Sequence, residues 1–194
     1  MTRSPARSRL TPEREDELFS AVLDLLREVG YDALTMDAVA TRTRSSKATL
    51  YRQWGGKPEL VARALRHMSP HGDGEIDTGS LRGDFHAMVC RGDDAEMARD
   101  TALLRGLFQA IHTHPDLHRA LREQLVEPDS GELQTVVRRA VERGEIREDN
   151  PAKEFLPHML LGVFFAREVV DIRPPDVEFL RQYVDAVVLP ALEA

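Results

Sequence analysis

Seven basic residues (Arg42, Arg44, Lys47, Arg52, Lys57, Arg63 and Arg66) stand within the 25 positions from Arg42 to Arg66, against a single acid, Glu59. Guanidinium and ammonium groups at that density suit a polyanion. They replace counterions on phosphate, and arginine can add a two-pronged bond to a guanine edge. A solvated helix face carries the same kind of charge, so charge alone leaves both readings open. A second cluster, His112, His114 and His118 with Asp116 among them, has imidazoles and a carboxylate of the types that hold zinc or nickel. Position argues against a metal there. His112 and His114 close one helix, where cations suit the dipole, and Pro115 opens the next with Asp116 in its first turn. The single cysteine, Cys90, excludes an internal disulfide and any zinc site built on paired cysteines. Beside Met88 and Val89 it reads as a small core residue. No G-x-S-x-G, glycine-rich phosphate loop or paired-carboxylate motif occurs, so no enzyme activity and no cofactor or metal is expected.

The chain that positions these groups has 194 residues, 42% hydrophobic and 30% charged, which fits one compact domain or two small ones and excludes collagen-like or wholly disordered classes. Its net charge of −7 is uneven: residues 1–68 sum to +3 and residues 69–194 to −10. DNA binding survives such a balance, because phosphate neutralisation depends on charges at the contact surface. The longest stretch without Asp, Glu, Lys or Arg, Phe155 to Ala166, has 12 residues, short of the roughly 20 that span a bilayer. No apolar run follows the basic start, so no secretory signal is read and a cytoplasmic location is expected.

Apolar spacing predicts helices almost throughout. Thr11-Pro12 offers a capping hydroxyl and a proline for the first helical position, and Leu18, Phe19, Val22, Leu25, Leu26 and Val29 form one stripe ended by Gly30. Thr35 caps a second helix to about Thr43, and Ser45 or Ser46 a third from Lys47 to Trp54. Gly55-Gly56 breaks the chain before a fourth helix. Residues 69–80 read as a linker. After it come helices over Leu81–Arg91, Ala95–Thr113, Pro115–Val126, Gly131–Arg143, Ala152–Val170 and Asp176–Leu192. The last two carry apolar residues on more than one face, which predicts a two-helix homodimer surface through Leu160, Val163, Phe164, Arg167, Phe179, Tyr183 and Val187.

The second and third helices, joined by a three-residue turn, have helix-turn-helix spacing. That places Lys47, Ala48, Thr49, Tyr51 and Arg52 on or near an exposed recognition helix, with Leu50 inward. The segment REVGYDALTMDAVATRTRSSKATLYRQWGGKPELVARAL resembles the N-terminal domain of the tetracycline-repressor (TetR) family of bacterial transcriptional regulators. The resemblance covers about residues 15–66. It rests on Gly30-Tyr31, Leu34-Thr35, Val39-Ala40, the run Ser46 to Tyr51, Trp54 where the family usually has Phe, and Lys57 with Glu59-Leu60. Two departures stand out in the turn: Arg44 replaces a glycine that commonly adopts positive φ, and Ser45 replaces an apolar plug.

The resemblance implies an all-α chain with a three-helix DNA-binding domain over residues 1–68, residues 1–10 being a flexible arm. A C-terminal helical bundle over 81–194 would serve ligand binding and dimerisation. It implies a regulator, most simply a repressor, that binds a palindromic operator in double-stranded DNA as a homodimer and is released by a small effector. Lys47, Tyr51 and Lys57 would meet phosphates and Thr35 the backbone. Ala48, Thr49, Arg52 and Gln53 would approach base edges, with Arg44 and Ser46 beside them, and Arg3, Arg7 and Arg9 could enter the minor groove. The effector cavity is expected among Phe85, Met88, Met97, Leu104, Leu107, Phe108, Gln109, Ile111, His112, Phe155, His158 and Met159, a set that favours an apolar or aromatic ligand. The alternative is a helical enzyme or metal-binding bundle that uses His112, His114 and His118.

Overall fold

The computed structural model describes residues 11–68, 76–126 and 131–193, and among these there are eleven α-helical segments and no strand. The expected N-terminal arm, with Arg3, Arg7 and Arg9, lies outside the described residues. The chain divides into two compact units, residues 1–69 and residues 70–194.

The first unit holds α1 (Pro12–Ala33), α2 (Met36–Arg42), α3 (Lys47–Trp54) and α4 (Lys57–Met68). The stripe on α1 buries Leu18, Phe19, Val22, Leu25 and Leu26 against α4 and α2, while Val29, expected in that stripe, is exposed. Gly30 leaves the helix at φ 73°, ψ 172°, a region that only glycine enters at no steric cost. That turn buries Tyr31 and Leu34 and sends the chain into α2. The Thr35 hydroxyl accepts the Ala38 N–H and caps α2; the Ser46 hydroxyl accepts the Thr49 N–H and caps α3. Thr11 departs from expectation. It makes no side-chain cap bond to α1, and the Glu13 carboxyl beside it is held below its usual range by a backbone bond and, second to that, by the Thr11 hydroxyl.

The second unit holds α5 (Leu81–Val89), α6 (Asp94–Ala110), α7 (Pro115–Leu121), α8 (Glu132–Glu142), α9 (Ala152–Asp171), α10 (Val177–Tyr183) and α11 (Leu189–Glu193), with π-helical turns at Arg122–Val126 and Val184–Val188. Its core joins Phe85 of α5, Val136 and Ala140 of α8, Ile146, Leu156 of α9, and Val184, Val188 and Leu192 near the C-terminus. Buried Asn150 ties the two ends of this core together: its side-chain amide donates to the carbonyls of Ala191 and Leu192, and its oxygen accepts the Ala152 N–H.

Of the expected linker, residues 69–75 are not among those described, and Ile76 to Ser80 is built into the second unit. Ile76 is buried and its carbonyl accepts the Arg139 guanidinium at 2.8 Å. The Thr78 N–H and hydroxyl both donate to Asp84, at 2.6 and 2.7 Å. Residues 76–80 are irregular in conformation, and Thr78 among them is a partner of the buried Asp84 carboxylate.

Candidate nucleic-acid interface

The sequence makes α3 short and one-sided. Leu50 and Trp54, four apart, are buried, and the Trp54 indole meets the Phe19 ring edge-on at 6.1 Å between centroids. That anchoring turns Lys47, Ala48, Tyr51 and Arg52 outward as exposed residues, with Thr49 and Gln53 half-buried at the margins. Tyr51 is 48% exposed, which removes core packing as its role. The Thr49 hydroxyl lies 2.8 Å from that of Ser46.

The turn before α3 is tied down from three directions. Thr43 is buried, its hydroxyl bonds the Val39 carbonyl, and its own carbonyl accepts the Arg14 guanidinium. Arg44 sits at φ 52°. The family glycine conformation is kept although the side chain is arginine, so the departure noted in the sequence is a local strain and leaves α2 and α3 in helix-turn-helix order. Half-buried Ser45 spans the gap with a long bond to the Thr43 carbonyl, 3.4 Å.

The basic cluster is less open than its composition implies. Lys47 pairs with Asp37 of α2 at 2.8 Å, and that bond holds the ammonium pKa above its ordinary value. Arg42 grips both oxygens of Glu28, at 3.1 and 2.7 Å, and so keeps that carboxyl below its usual range. Lys57, expected at a phosphate, is turned inward: it donates to the Tyr31 carbonyl at 2.9 Å and lies 4.2 Å from the centre of the Tyr31 ring, and burial lowers its pKa. The cause is the Gly30 turn, which aims the Tyr31 carbonyl at the start of α4. Arg44 and Arg52 are exposed and enter no ion pair among the described residues.

Residues 18–64 match the family described as bacterial regulatory proteins, tetR family, and residues 75–187 match the tetracyclin repressor-like C-terminal domain. An uncharacterized HTH-type transcriptional regulator of Mycobacterium tuberculosis is 36% identical, over 92% of this chain and 88% of its own. The DNA-binding transcriptional repressor TetR of Mycobacteroides abscessus is 32% identical, over 91% of this chain and 92% of its own. The crystal structure of a TetR-family transcription regulator superposes with a TM-score of 0.68 at 26% identity, covering 92% of this chain and 98% of that one.

The chain belongs to the TetR family. It is therefore a helix-turn-helix DNA-binding transcriptional regulator, and nothing supports the alternative of a helical enzyme. The histidines do not converge: His112 and His118 are exposed, the His112 ring lies 2.9 Å from its own helix carbonyl at Phe108, and no group of three metal-ligating side chains forms among the described residues. No helix among the described residues is long and apolar enough to cross a membrane.

In the C-terminal unit of this TetR-family chain, the nominated effector residues are not gathered around one cavity. Phe85 is sealed in the core, with Met88 and Met159 half-buried against it. Met97, Leu104 and Ile111 are half-buried, Leu107 is buried, and half-buried Phe108 packs edge-on against Phe165. Gln109, His112, Phe155 and His158 are exposed. A pocket of about 390 Å³ lies between α8 and α9 and is lined by Leu133, Gln134, Val137, Arg138, Val141, Glu148, Lys153, Leu156 and Pro157. Amphipathic α8 supplies five of these, at spacings of one helical turn, a periodicity that the sequence carries.

The nominated dimer faces also need correction. Val163 and Arg167 are buried within the unit, where the Arg167 guanidinium pairs with Asp171 and stacks 3.8 Å from the centre of the Phe179 ring. Leu160, Phe164, Phe179 and Tyr183 are half-buried. Val187 of the nominated set is exposed, and so are Phe155, Leu161, Val169 and Val170 of α9, which were not nominated for this surface. Cys90, expected in the core, is exposed just after the last turn of α5, whose inward face is taken by Leu81 and Phe85.

Proposed function

We propose that this regulator is a ligand-released repressor that acts in the cytoplasm and binds a palindromic operator as a homodimer. The observation that carries the DNA reading is the single exposed face of α3, where Ala48, Tyr51 and Arg52 stand clear, with Thr49 half-buried at their margin, on a helix anchored by Leu50 and Trp54. Small Ala48 and Thr49 allow close approach to a base edge and a thymine methyl, Arg52 can bond guanine twice, and Lys47, Tyr51, Thr35, Ser46 and Arg44 suit phosphates. Gln53, half-buried, has the lesser reach, and the inward turn of Lys57 argues against a phosphate contact by that residue. The relative named as a repressor favours that sign of regulation.

The exposed apolar residues of α9 support a symmetric pairing of two chains, since large apolar side chains open to water on one helix favour cover by a partner. A dimer sets two copies of α3 about 34–36 Å apart for successive major grooves. For the effector, the α8–α9 pocket has the volume and apolar floor of a small-molecule site. The same helix carries Arg139 and Arg143, which hold Ile76 to Ser80, where the chain enters this unit. A ligand that displaces α8 would thereby act on the segment from Ile76 to Ser80.

The test is selection of duplexes from a random pool by the purified chain. Enrichment of a two-fold symmetric sequence is the expected result, and no enrichment over input would sink the reading. Compounds that raise the melting temperature should then weaken the selected complex, and DNA should weaken those compounds by the same factor.

A further inference from the structure

The pairing of Lys47 with Asp37 has a functional meaning of its own. Lys47 opens α3 and Asp37 lies in the first turn of α2, so the bond between them, 2.8 Å, spans the helix-turn-helix itself. Both partners face solvent, with 48% and 72% of their side chains exposed, so nothing in the fold locks the pair shut. Its neighbour follows the same plan: Arg42, at the end of α2, is gripped by Glu28 of α1. By contrast Arg52 and Thr49, which suit base edges, have no carboxylate on them among the described residues.

We propose that Asp37 is a specificity-determining residue: its carboxylate stands in for a DNA phosphate on Lys47 and so holds down affinity for DNA that lacks the operator sequence. The proposal rests on Lys47 meeting a phosphate, as argued above. Contacts to phosphate supply the sequence-independent part of binding. A lysine already bonded to a carboxylate gains little by exchanging it for a phosphate, and the released carboxylate then faces the DNA backbone. On random DNA nothing offsets that repulsion and the pair stays closed. On the operator, base contacts from Thr49 and Arg52 draw α3 into the groove and the exchange is completed. The device lowers non-specific binding more than specific binding, which is what sets occupancy among many competing sites. Exposed ion pairs are weak, so the effect is a tuning of about threefold to fivefold, not an on-off switch.

The experiment compares wild type, Asp37→Asn, Lys47→Met and the double variant by fluorescence anisotropy over a series of KCl concentrations. The probes are a duplex selected by the wild-type protein from a random pool and a scrambled duplex of equal length and composition. Asp37→Asn should tighten the scrambled complex about threefold to fivefold, and the selected one less, with a salt slope steeper by about one unit on scrambled DNA. In the Lys47→Met background the gain should shrink, because only the repulsion of the carboxylate is left to relieve. An equal gain in that background would mean simple removal of negative charge and overturns the proposal, as does unchanged or weaker binding by Asp37→Asn. If Lys47→Met itself binds both duplexes like wild type, the phosphate reading of Lys47 falls as well. If it weakens binding while Asp37→Asn has no effect, only the stand-in role falls.

Discussion

The Arg143 guanidinium stands 3.1 Å from a carboxylate oxygen of Asp84, a side chain with no exposed surface. Asp84 belongs to α5 and Arg143 caps the end of α8. Their bond, with the two that Asp84 accepts from Thr78, fixes the first residues of the C-terminal unit to the helix that lines the pocket. Removing one partner of a buried pair leaves a charge uncompensated, at a cost of about 3–5 kcal/mol. Thr78 retains part of the solvation here, so Arg143→Ala should lose about 3 kcal/mol in urea unfolding. A loss below about 1 kcal/mol, the worth of an exposed pair, would show that Arg143 contributes nothing beyond a surface bond.

Arg44 at φ 52° is held in a region that disfavours any residue with a Cβ, at about 1–2 kcal/mol. Arg44→Gly should stabilise the first unit by about 1 kcal/mol after the entropy of glycine in the unfolded chain is deducted. The same variant should bind DNA less tightly if the guanidinium meets a phosphate. Chemical denaturation reads the first effect and anisotropy the second. A destabilised variant would show that the arginine side chain contributes more than the backbone strain costs.

Thr49→Ala and Arg52→Ala should change which sequences are chosen, not only how tightly. Each should reduce discrimination by about 1–3 kcal/mol at one base position of each half-site. Repeating the random-pool selection with each variant gives the altered preference directly. An unchanged consensus with uniformly lower affinity would reassign both residues to the backbone.

Val169 is 82% exposed and Val163 is 5% exposed, on the same helix. Val169→Glu should therefore leave the fold intact and yield monomer in sedimentation, because the charge is buried only when two chains meet. Val163→Glu should unfold the unit in any assembly state. A Val169→Glu protein that remains dimeric would place the interface elsewhere on the molecule.

The contrast between those two valines also explains what was legible in the sequence. Helix positions, the caps at Thr35 and Ser46, the break at Gly30 and the inward Leu50 follow from local spacing and local hydrogen-bond chemistry, and all are present. Periodicity also marks which helix faces are apolar, but it does not say which neighbour covers them. Phe85 and Phe155 carry the same signal and end 1% and 59% exposed. Arg167, expected at the dimer surface, instead finds its partner in the Phe179 ring of its own chain. Lys57 was misplaced for a related reason: its partner is a backbone carbonyl made available by a turn 26 residues earlier in the chain, which side-chain patterns do not encode.

The exposure of Cys90 changes how this regulator can be watched. It is the sole cysteine in the sequence and its thiol reaches solvent at the end of α5. A maleimide or nitroxide reagent will therefore attach once per chain with no engineered site and no residue to remove. Any assembly of two chains then carries two probes at symmetry-related points. The distance between them becomes a ruler for any shift of the C-terminal units on addition of DNA or of a candidate ligand.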